Sequence, residues 1–370
     1  MVEICSIGAL IERKRTKAKD QYSNAPVYAV TNNRGFVLSS SLHDFDIFSD
    51  DTSNYMVVSK NDFAYNPSRL NVGSIAYFKE EGNGLISPMY VVFHADENKI
   101  LAEYLYIVIK SEFVRNKIDA LKEVGARFRF DFNRWDLIKI PIPSLEEQTR
   151  IVEILDTFTS AIDNLKEQIA QRRKQYEYYR DQLLDLEGKE GVKIGSVATF
   201  VKDRIIATNL TSQNYISVEN LLKDKAGRQD AENVPTEGNW IKYNKGDVLI
   251  GNIRPYLRKI WLSDREGGTN GDVIVLRGEQ NTILSQYLYY VLSSERFFIY
   301  YNQSLKDGKM PRGEKARVLT YTFPLLPKEE QSRIVSILDT FEASIANLEA
   351  QLKEREKQYE YYRNKLLTFE

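Results

Sequence analysis

A stretch of 39 residues occurs twice in this chain without insertion or deletion. EEQTRIVEILDTFTSAIDNLKEQIAQRRKQYEYYRDQLL at 146–184 returns as EEQSRIVSILDTFEASIANLEAQLKEREKQYEYYRNKLL at 329–367, a constant offset of 183 with 25 identities. In the first copy Ile151, Leu155, Phe158, Ile162, Leu165, Ile169, Tyr176, Tyr179 and Leu183 fall at heptad positions, with Arg172 as the one interruption and Leu186 extending the series. Ile334, Leu338, Phe341, Ile345, Leu348, Leu352, Tyr359, Tyr362 and Leu366 occupy the same slots in the second, with Arg355 and Phe369 in the places of Arg172 and Leu186. A seam of this period specifies a helix that packs along another helix. Neither copy contains Gly or Pro, so each predicts one helix of roughly 40 residues, about 60 Å long at 1.5 Å per residue. Ser144 and Glu147 have the spacing of a capping box, and Gly188 stands where the first helix would stop. Ile151, Val152, Ile154 and Leu155, like Ile334, Val335, Ile337 and Leu338, make a stripe wider than one seam needs, with Tyr178 and Tyr361 beside it. The chain's own domains and a partner helix are both open as its cover.

The repeat extends beyond the helices. Val2, Ile4, Ser6 and Ile7 are echoed by Val192, Ile194, Ser196 and Val197 at an offset of 190. KNDFAYNPSRLNVGSIAY at 60 is echoed by KGDVLIGNIRPYLRKIWL at 245, and YLYIVIKSE at 104 by YLYYVLSSE at 287. The chain therefore reads as a tandem duplication of globular domain and rod. Its expected domains are residues 1–143 and 189–326, and the helices 144–188 and 327–370. Parallel rods would oblige the second domain to bridge a full rod length, so an antiparallel pair is expected, with a domain at each end, an approximate two-fold axis, and the C-terminus returning near Val2. The fold class is α/β (α+β): two globular domains separated by an antiparallel intramolecular coiled coil. Within the first domain, APVYAVTN and GFVLSS read as strands around a turn, AEYLYIVIKSEFVRNKIDAL as a helix, and ARFRF as a strand with Arg127 and Arg129 on one face.

Net charge is −1, but it is unevenly placed. Residues 146–187 hold 10 acidic and 6 basic side chains and 329–370 hold 9 and 6, which leaves the remainder at +6. Acidic rods and basic domains are the pattern of a DNA reader held on a spacer. The sequence lacks GxxxxGK[ST], HExxH, Cys-x-x-Cys and the [N/D]PP[F/Y] tetrad of amino-methyltransferases. Its two histidines, His43 and His94, argue against a histidine-rich metal site and are expected on the surface or in loops. Cys5 is the only cysteine, which fits a reducing cytoplasm, and no apolar run reaches the ~20 residues that span a bilayer. No catalytic residue and no metal site is assigned; the sequence describes a binding protein.

Candidate DNA-contacting residues lie in basic or polar loops. In the first domain they are Arg13, Lys14 and Arg15; Asn66, Ser68, Arg69 and Asn71 around the sheet-breaking Pro67; and Arg127 and Arg129. In the second they are Asn252, Arg254, Tyr256, Arg258 and Lys259, then Lys306, Lys309, Arg312, Lys315 and Arg317 among glycines that permit close backbone approach. Solvated turns and ion pairs are the alternative use of each group. Two diverged domains on a spacer suit a DNA site in two unlike halves, since contacts on one face of the duplex recur about every 34–36 Å.

The segments IPIPSLEEQTRIVEILDTF and FPLLPKEEQSRIVSILDTF, each closing a domain, resemble the conserved regions of the specificity subunits of type I restriction-modification systems. In that family a Pro-rich run leads into Glu-Gln-x-x-Ile-Val, and two target-recognition domains read a split asymmetric site. The second segment departs in having Leu326 and Pro327 where Pro143 and Ser144 stand, so the serine cap is expected only once. The resemblance implies a non-catalytic subunit whose partners are double-stranded DNA, two modification (methyltransferase) subunits and restriction (translocase/endonuclease) subunits. S-adenosylmethionine, ATP and Mg would then belong to those subunits, with no cofactor here and no membrane. A specificity unit of a combined restriction-methylation system and a non-DNA coiled-coil scaffold are the alternatives.

Overall fold

The computed structural model describes residues 2–19, 22, 24–32, 34–41, 51–121, 128–185, 190–303, 305 and 310–369. The chain forms two compact units, Met1–Lys166 with Gln351–Glu370, and Glu167–Ala350. Unit one contains β1 (Glu3–Ser6), β2 (Ile11–Lys14), β3 (Val27–Thr31), β4 (Gly35–Leu38), β5 (Met56–Ser59), β6 (Phe63–Tyr65), β7 (Ile75–Tyr77), β8 (Asn83–Ile86), β9 (Val91–Ala95), α1 (Ala102–Lys110), α2 (Glu112–Ala120) and β10 (Lys139–Ile142). The long helix α3 (Leu145–Leu183) begins in unit one and ends in unit two. Unit two contains β11 (Gly191–Lys193), β12 (Ala198–Phe200), β13 (Arg204–Ile206), β14 (Tyr215–Ile216), β15 (Asn239–Tyr243), β16 (Val248–Gly251), β17 (Ile260–Leu262), β18 (Gly267–Thr269), β19 (Val273–Gly278), α4 (Ser285–Leu292), α5 (Glu295–Asn302), α6 (Lys315–Thr320) and β20 (Thr322–Pro324). The second long helix, α7 (Lys328–Leu366), begins in unit two and ends in unit one.

Each unit has a sheet of the same topology, β2-β9-β6-β7 in unit one and β12-β19-β16-β17 in unit two, and a terminal ribbon, β1-β10 or β11-β20. The second sheets share a three-stranded core. β8 pairs parallel with β3 and antiparallel with β5; β18 pairs parallel with β14 and antiparallel with β15. The fourth strand is where the units differ: β4 extends the β3 edge, whereas β13 extends the opposite, β15 edge. The duplication preserved one sheet and re-laid an edge of the other.

The shared framework rests on a few polar groups. Asp62 and Asp247, both almost fully buried, cap equivalent turns by accepting from the backbone N–H of Ser59 and Asn244, at 2.7 Å each. Charge on Asp62 is met by Lys14 and by His94 Nδ1 at 3.0 Å; charge on Asp247 is met by a two-pronged Arg277 at 2.8 and 2.7 Å. His94 thus lies on a strand, tied to a buried acid, with its side chain 44% exposed, so it is a surface histidine as expected and not a loop one. The first element of each unit also fixes the repeat register. Ile7 and Ile194 are both fully buried and donate to Ile138 and Tyr321, and a Cβ at Gly8 or Gly195 would press on Asp136 or Leu319. That sets the offset there at 187, not the 190 suggested by the apolar pattern, because the pattern repeats every three residues and tolerates the slip.

Within unit two, Tyr179 stacks on Phe341 at 5.5 Å, the Tyr176 hydroxyl donates to Glu342 at 2.9 Å, and Arg173 pairs with Glu349 at 2.5 Å. As the α3 number falls the α7 number rises, so the helices are antiparallel. Unit one repeats the first contact with the roles exchanged, Phe158 stacking on Tyr362 at 5.2 Å. Ile151, Leu155, Ile162, Ile169, Ile334 and Leu338 are buried seam positions. Leu165, Ile345, Leu348 and Leu352 are half-buried, Tyr176, Leu183, Tyr359 and Leu366 pack on their units' cores, and the rims of Tyr179 and Tyr362 stay exposed. Leu367 and Phe369 pack on the core of unit one and, with Thr368, line a cleft together with Ile4 of β1, so this end of the chain does return to the first strand. Leu186 and Gly188 lie outside the described residues.

Three local expectations are corrected. The helix expected over 102–121 is two helices, because Ser111 turns extended (φ −66°, ψ 153°) and caps α2 by accepting from Val114 N–H at 3.3 Å. Arg13 and Lys14 lie in β2 rather than in a loop. The described part of ARFRF, residues 128–130, is not a strand; Phe130 is buried because its N–H donates to Pro67 and its ring packs 4.9 Å from Trp135.

Candidate nucleic-acid interface

The tip between β6 and β7 and the tip between β16 and β17 are equivalent turns of the shared sheet, and each presents an arginine. Arg69 and Arg254 correspond at an offset of 185 and are exposed, and neither side chain makes a hydrogen bond or ion pair to another described residue. Their backbones are held differently. In unit one Asn66 makes an Asx turn to Ser68 N–H at 2.9 Å, and Ser74 N–H donates to the Arg69 carbonyl at 3.1 Å. In unit two Arg254 and Arg258 both adopt left-handed φ, 49° and 51°, around a one-turn helix that leaves Tyr256 48% exposed. Non-glycine residues enter that region only where surrounding structure compels them. Here Arg254 N–H donates to Pro311, and Arg258 is held by N–H donation to Pro255 and by Lys225 N–H donating to its carbonyl.

The other candidates divide by what they touch. Arg15, Ser68 and Arg129 are exposed and Asn71 is half-buried, each without a described side-chain partner. Arg13 is exposed, its guanidinium 5.9 Å from the Phe132 ring, and Lys315 donates to the Gly271 carbonyl at 2.5 Å. Arg258 pairs with Glu295 at 2.7 Å and Arg312 with Asp272 at 3.0 Å. Four expectations give way to structural roles, since burial demands that polar groups be paired. Lys14 is taken by Asp62, and Asn252, 4% exposed, receives the Tyr301 hydroxyl. Lys259 donates to the Val218 carbonyl at 2.6 Å, and Arg317 lies 4.3 Å from the Tyr300 ring while bonded to the Tyr300 carbonyl and Gln303. Asn66 is half-buried and spends its oxygen on the turn. Arg127, Lys306 and Lys309 lie outside the described residues.

Two positioning groups escaped the sequence reading. Gln148 and Gln331 are fully buried just inside the long helices. Gln148 accepts from Leu101 N–H at 2.9 Å and donates to the Lys99 and Pro143 carbonyls at 2.9 and 3.0 Å. Gln331 accepts from Leu284 N–H at 2.8 Å and donates to Thr282 and Leu326 at 3.1 and 2.8 Å. Its identity in both copies, amid acids that belong to the helix start, was the available signal. The second group, Lys110, ends α1 and donates to the Gly73 carbonyl at 2.8 Å, tying down the loop that carries Arg69. Burial, with Arg115 adding to it, pushes Lys110 down to about 8. Between pH 8 and the ordinary lysine value near 10.4, the unfolded chain binds a proton that the folded chain does not, so stability rises with pH in that window. After allowance for solvent screening the gain is about 1 kcal/mol. Urea midpoints at pH 7.5 and 9.5 are expected to show this rise in the parent and its loss in Lys110→Met.

Among the described residues no His, Cys, Asp and Glu cluster can hold a metal, and no helix is long and apolar enough to cross a membrane. Two repeated α/β units, each with an exposed hairpin-tip arginine and joined through paired long helices, define a tandem recognition protein. The sequence matches the family described as Type I restriction modification DNA specificity domain over residues 1–172 and again over 187–357, and the chain belongs to that family. It is 28% identical to the specificity subunit of a type I restriction enzyme of Escherichia coli, over 95% of this chain and 89% of that protein. A specificity subunit from Salmonella potsdam is 25% identical over 69% of this chain and 62% of its own length. The fold is shared with the crystal structure of a type I S subunit from M. genitalium, with a TM-score of 0.58 at 14% identity over 100% and 97% of the two chains. It is also shared with a chain from a study of assembly and conformational transition in the type I R-M system, with a TM-score of 0.60 at 18% identity over 99% and 97%.

Proposed function

We propose that this chain is the non-catalytic specificity subunit of a type I restriction-modification complex and reads a two-part, asymmetric site on double-stranded DNA. The observation that carries the reading is the recurrence of Arg69 and Arg254 on equivalent hairpin tips, both exposed and without a described partner, in two domains of a DNA specificity family. An arginine fork can bond the O6 and N7 of guanine. The neighbours of the two arginines differ, as do the edges of the adjoining sheets, so the half-sites differ in sequence. Both long helices take part in both units, and their length sets the spacing of the half-sites. Two modification subunits dock on the helices and supply S-adenosylmethionine-dependent methylation; restriction subunits supply ATP- and Mg-dependent translocation and cleavage, all in the cytoplasm.

Binding to a panel of targets mutated in one half-site at a time tests this. Arg254→Ala is expected to cost about 1–3 kcal/mol at one half-site and relax its sequence preference, and Arg69→Ala to do the same at the other. A uniform loss on all sequences would assign both arginines to phosphate contact, and no loss from either would overturn the reading.

A further inference from the structure

Unit two contains a cleft of about 210 Å³ that the DNA reading does not use. Its floor is α7, where Asp339 and Glu342 lie one helical turn apart, and its walls include Trp261, Tyr289 and Tyr290. Asp339 accepts the Tyr290 phenol and Glu342 the Tyr176 phenol at 2.9 Å, with Tyr290 also bonding Glu342, and neither carboxylate has a cationic partner within salt-bridge distance among the described residues. Asp339 and Glu342 are exposed positions of α7; desolvation by the neighbouring rings pushes the Glu342 carboxyl up and Asp339 adds to it, while the phenols of Tyr176 and Tyr290 and the charge of Lys225 oppose it. The Tyr289 hydroxyl lines the same cleft without a hydrogen bond to any described residue, although burial holds that phenol well above its ordinary range. Two adjacent carboxylates that no described cation reaches within salt-bridge distance, with Lys225 and Arg180 acting only from farther off, stand beside aromatic faces and a spare hydroxyl and leave room for a directly paired cation. An ammonium or guanidinium group satisfies every part: ion pairs to the acids, a donor to the phenol oxygen, and attraction to the ring faces.

The unit-one copy of these positions lacks the arrangement. At the repeat offsets Thr159 stands for Glu342, Ile107 for Tyr290 and Ala76 for Trp261, while Tyr106 keeps the place of Tyr289 and Asp156 that of Asp339. Two of the three rings and the second acid belong to one unit only, so they are not a requirement of the shared fold.

We infer that the cleft bounded by Trp261, Tyr289, Tyr290, Asp339 and Glu342 is a binding site for an organic cation, an ammonium or guanidinium group on an alkyl stem. The occupant is either a free diamine or a lysine or arginine side chain of a partner protein, two sources of the same chemistry.

Calorimetric titration of the full-length protein at constant ionic strength, with butylamine, N-butylguanidine, putrescine and agmatine, tests the site. Saturable one-to-one binding is expected, weakened about tenfold or more by Glu342→Gln or Asp339→Asn, a loss of about 1.4 kcal/mol per factor of ten. Tyr289→Phe, which keeps the ring, is expected to weaken it less, and Asp156→Asn not at all. Putrescine or agmatine binding about tenfold tighter than its one-headed analogue identifies a free diamine; equal affinity identifies a single side chain. Glu342→Gln can still accept from Tyr176 and removes a poorly compensated charge, so its melting temperature is expected to equal or exceed the parent's. Heats no larger than those of sodium chloride, or binding that survives both acid substitutions in folded protein, would overturn the assignment.

Discussion

Replacing Gln148 with alanine is expected to destabilise unit one by about 3 kcal/mol, and Gln331→Ala to destabilise unit two by a similar amount. Each glutamine is fully buried, and its loss leaves one backbone N–H and two carbonyls unpaired in a space too enclosed for easy hydration. An orphaned buried polar group costs about 1–3 kcal/mol, and three of them, partly relieved by water entering the gap, give the total. The two environments agree group for group, so the two effects should agree within about 1 kcal/mol despite the divergence of the domains around them. Urea unfolding, followed separately for the two units by hydrogen exchange, measures both. Losses below about 1 kcal/mol would show that the glutamines are incidental to the seating of the long helices.

The second large effect concerns the helices as a measure of length. Seven residues inserted after Gln171, and seven more after the equivalent Glu354, restore the phase of the heptad seam and keep the antiparallel partners opposite one another. At 1.5 Å per residue the helices lengthen by about 10 Å, close to three base pairs of B-DNA. The parent target is expected to be lost, and a target with the same half-sites and a spacer longer by about three base pairs to be selected from a randomised-spacer library. Retention of the parent spacer would remove the helices from the measurement of distance. Insertion in one helix only should disrupt pairing, because Tyr179 and Phe341 could then stack only if Phe158 and Tyr362 did not.

What could be read from sequence followed from how each feature is encoded. The long helices were legible because the heptad period is written over five turns of the repeat and nothing breaks it. The antiparallel order was legible because chain connectivity allows little else. The Ser111 break was not: its φ/ψ change needs a single residue, and the apolar pattern continues across it. The fourth strand of the second sheet was not, because an edge strand takes its place from one neighbour and leaves no periodic mark. Among the contact candidates, composition located basic loops but not the direction of a side chain. Lys14 and Lys259 are as basic as Arg69 and Arg254, yet a buried carboxylate claims one and a backbone carbonyl the other. Sequence registered these charges; only their surroundings determine which are spent inside the fold.

The division of each long helix between the two units has a consequence for synthesis. Unit two is one uninterrupted stretch, Glu167–Ala350, whereas unit one needs Gln351–Glu370 to bring Tyr359, Leu366, Leu367 and Phe369 onto its core. At ribosomal rates of about 5–20 residues per second, the first domain to emerge waits on the order of 10–40 s for the residues that close it. The part made second is the part that can finish first, and during that interval the nascent chain carries an apolar face that Tyr359, Leu366, Leu367 and Phe369 later cover.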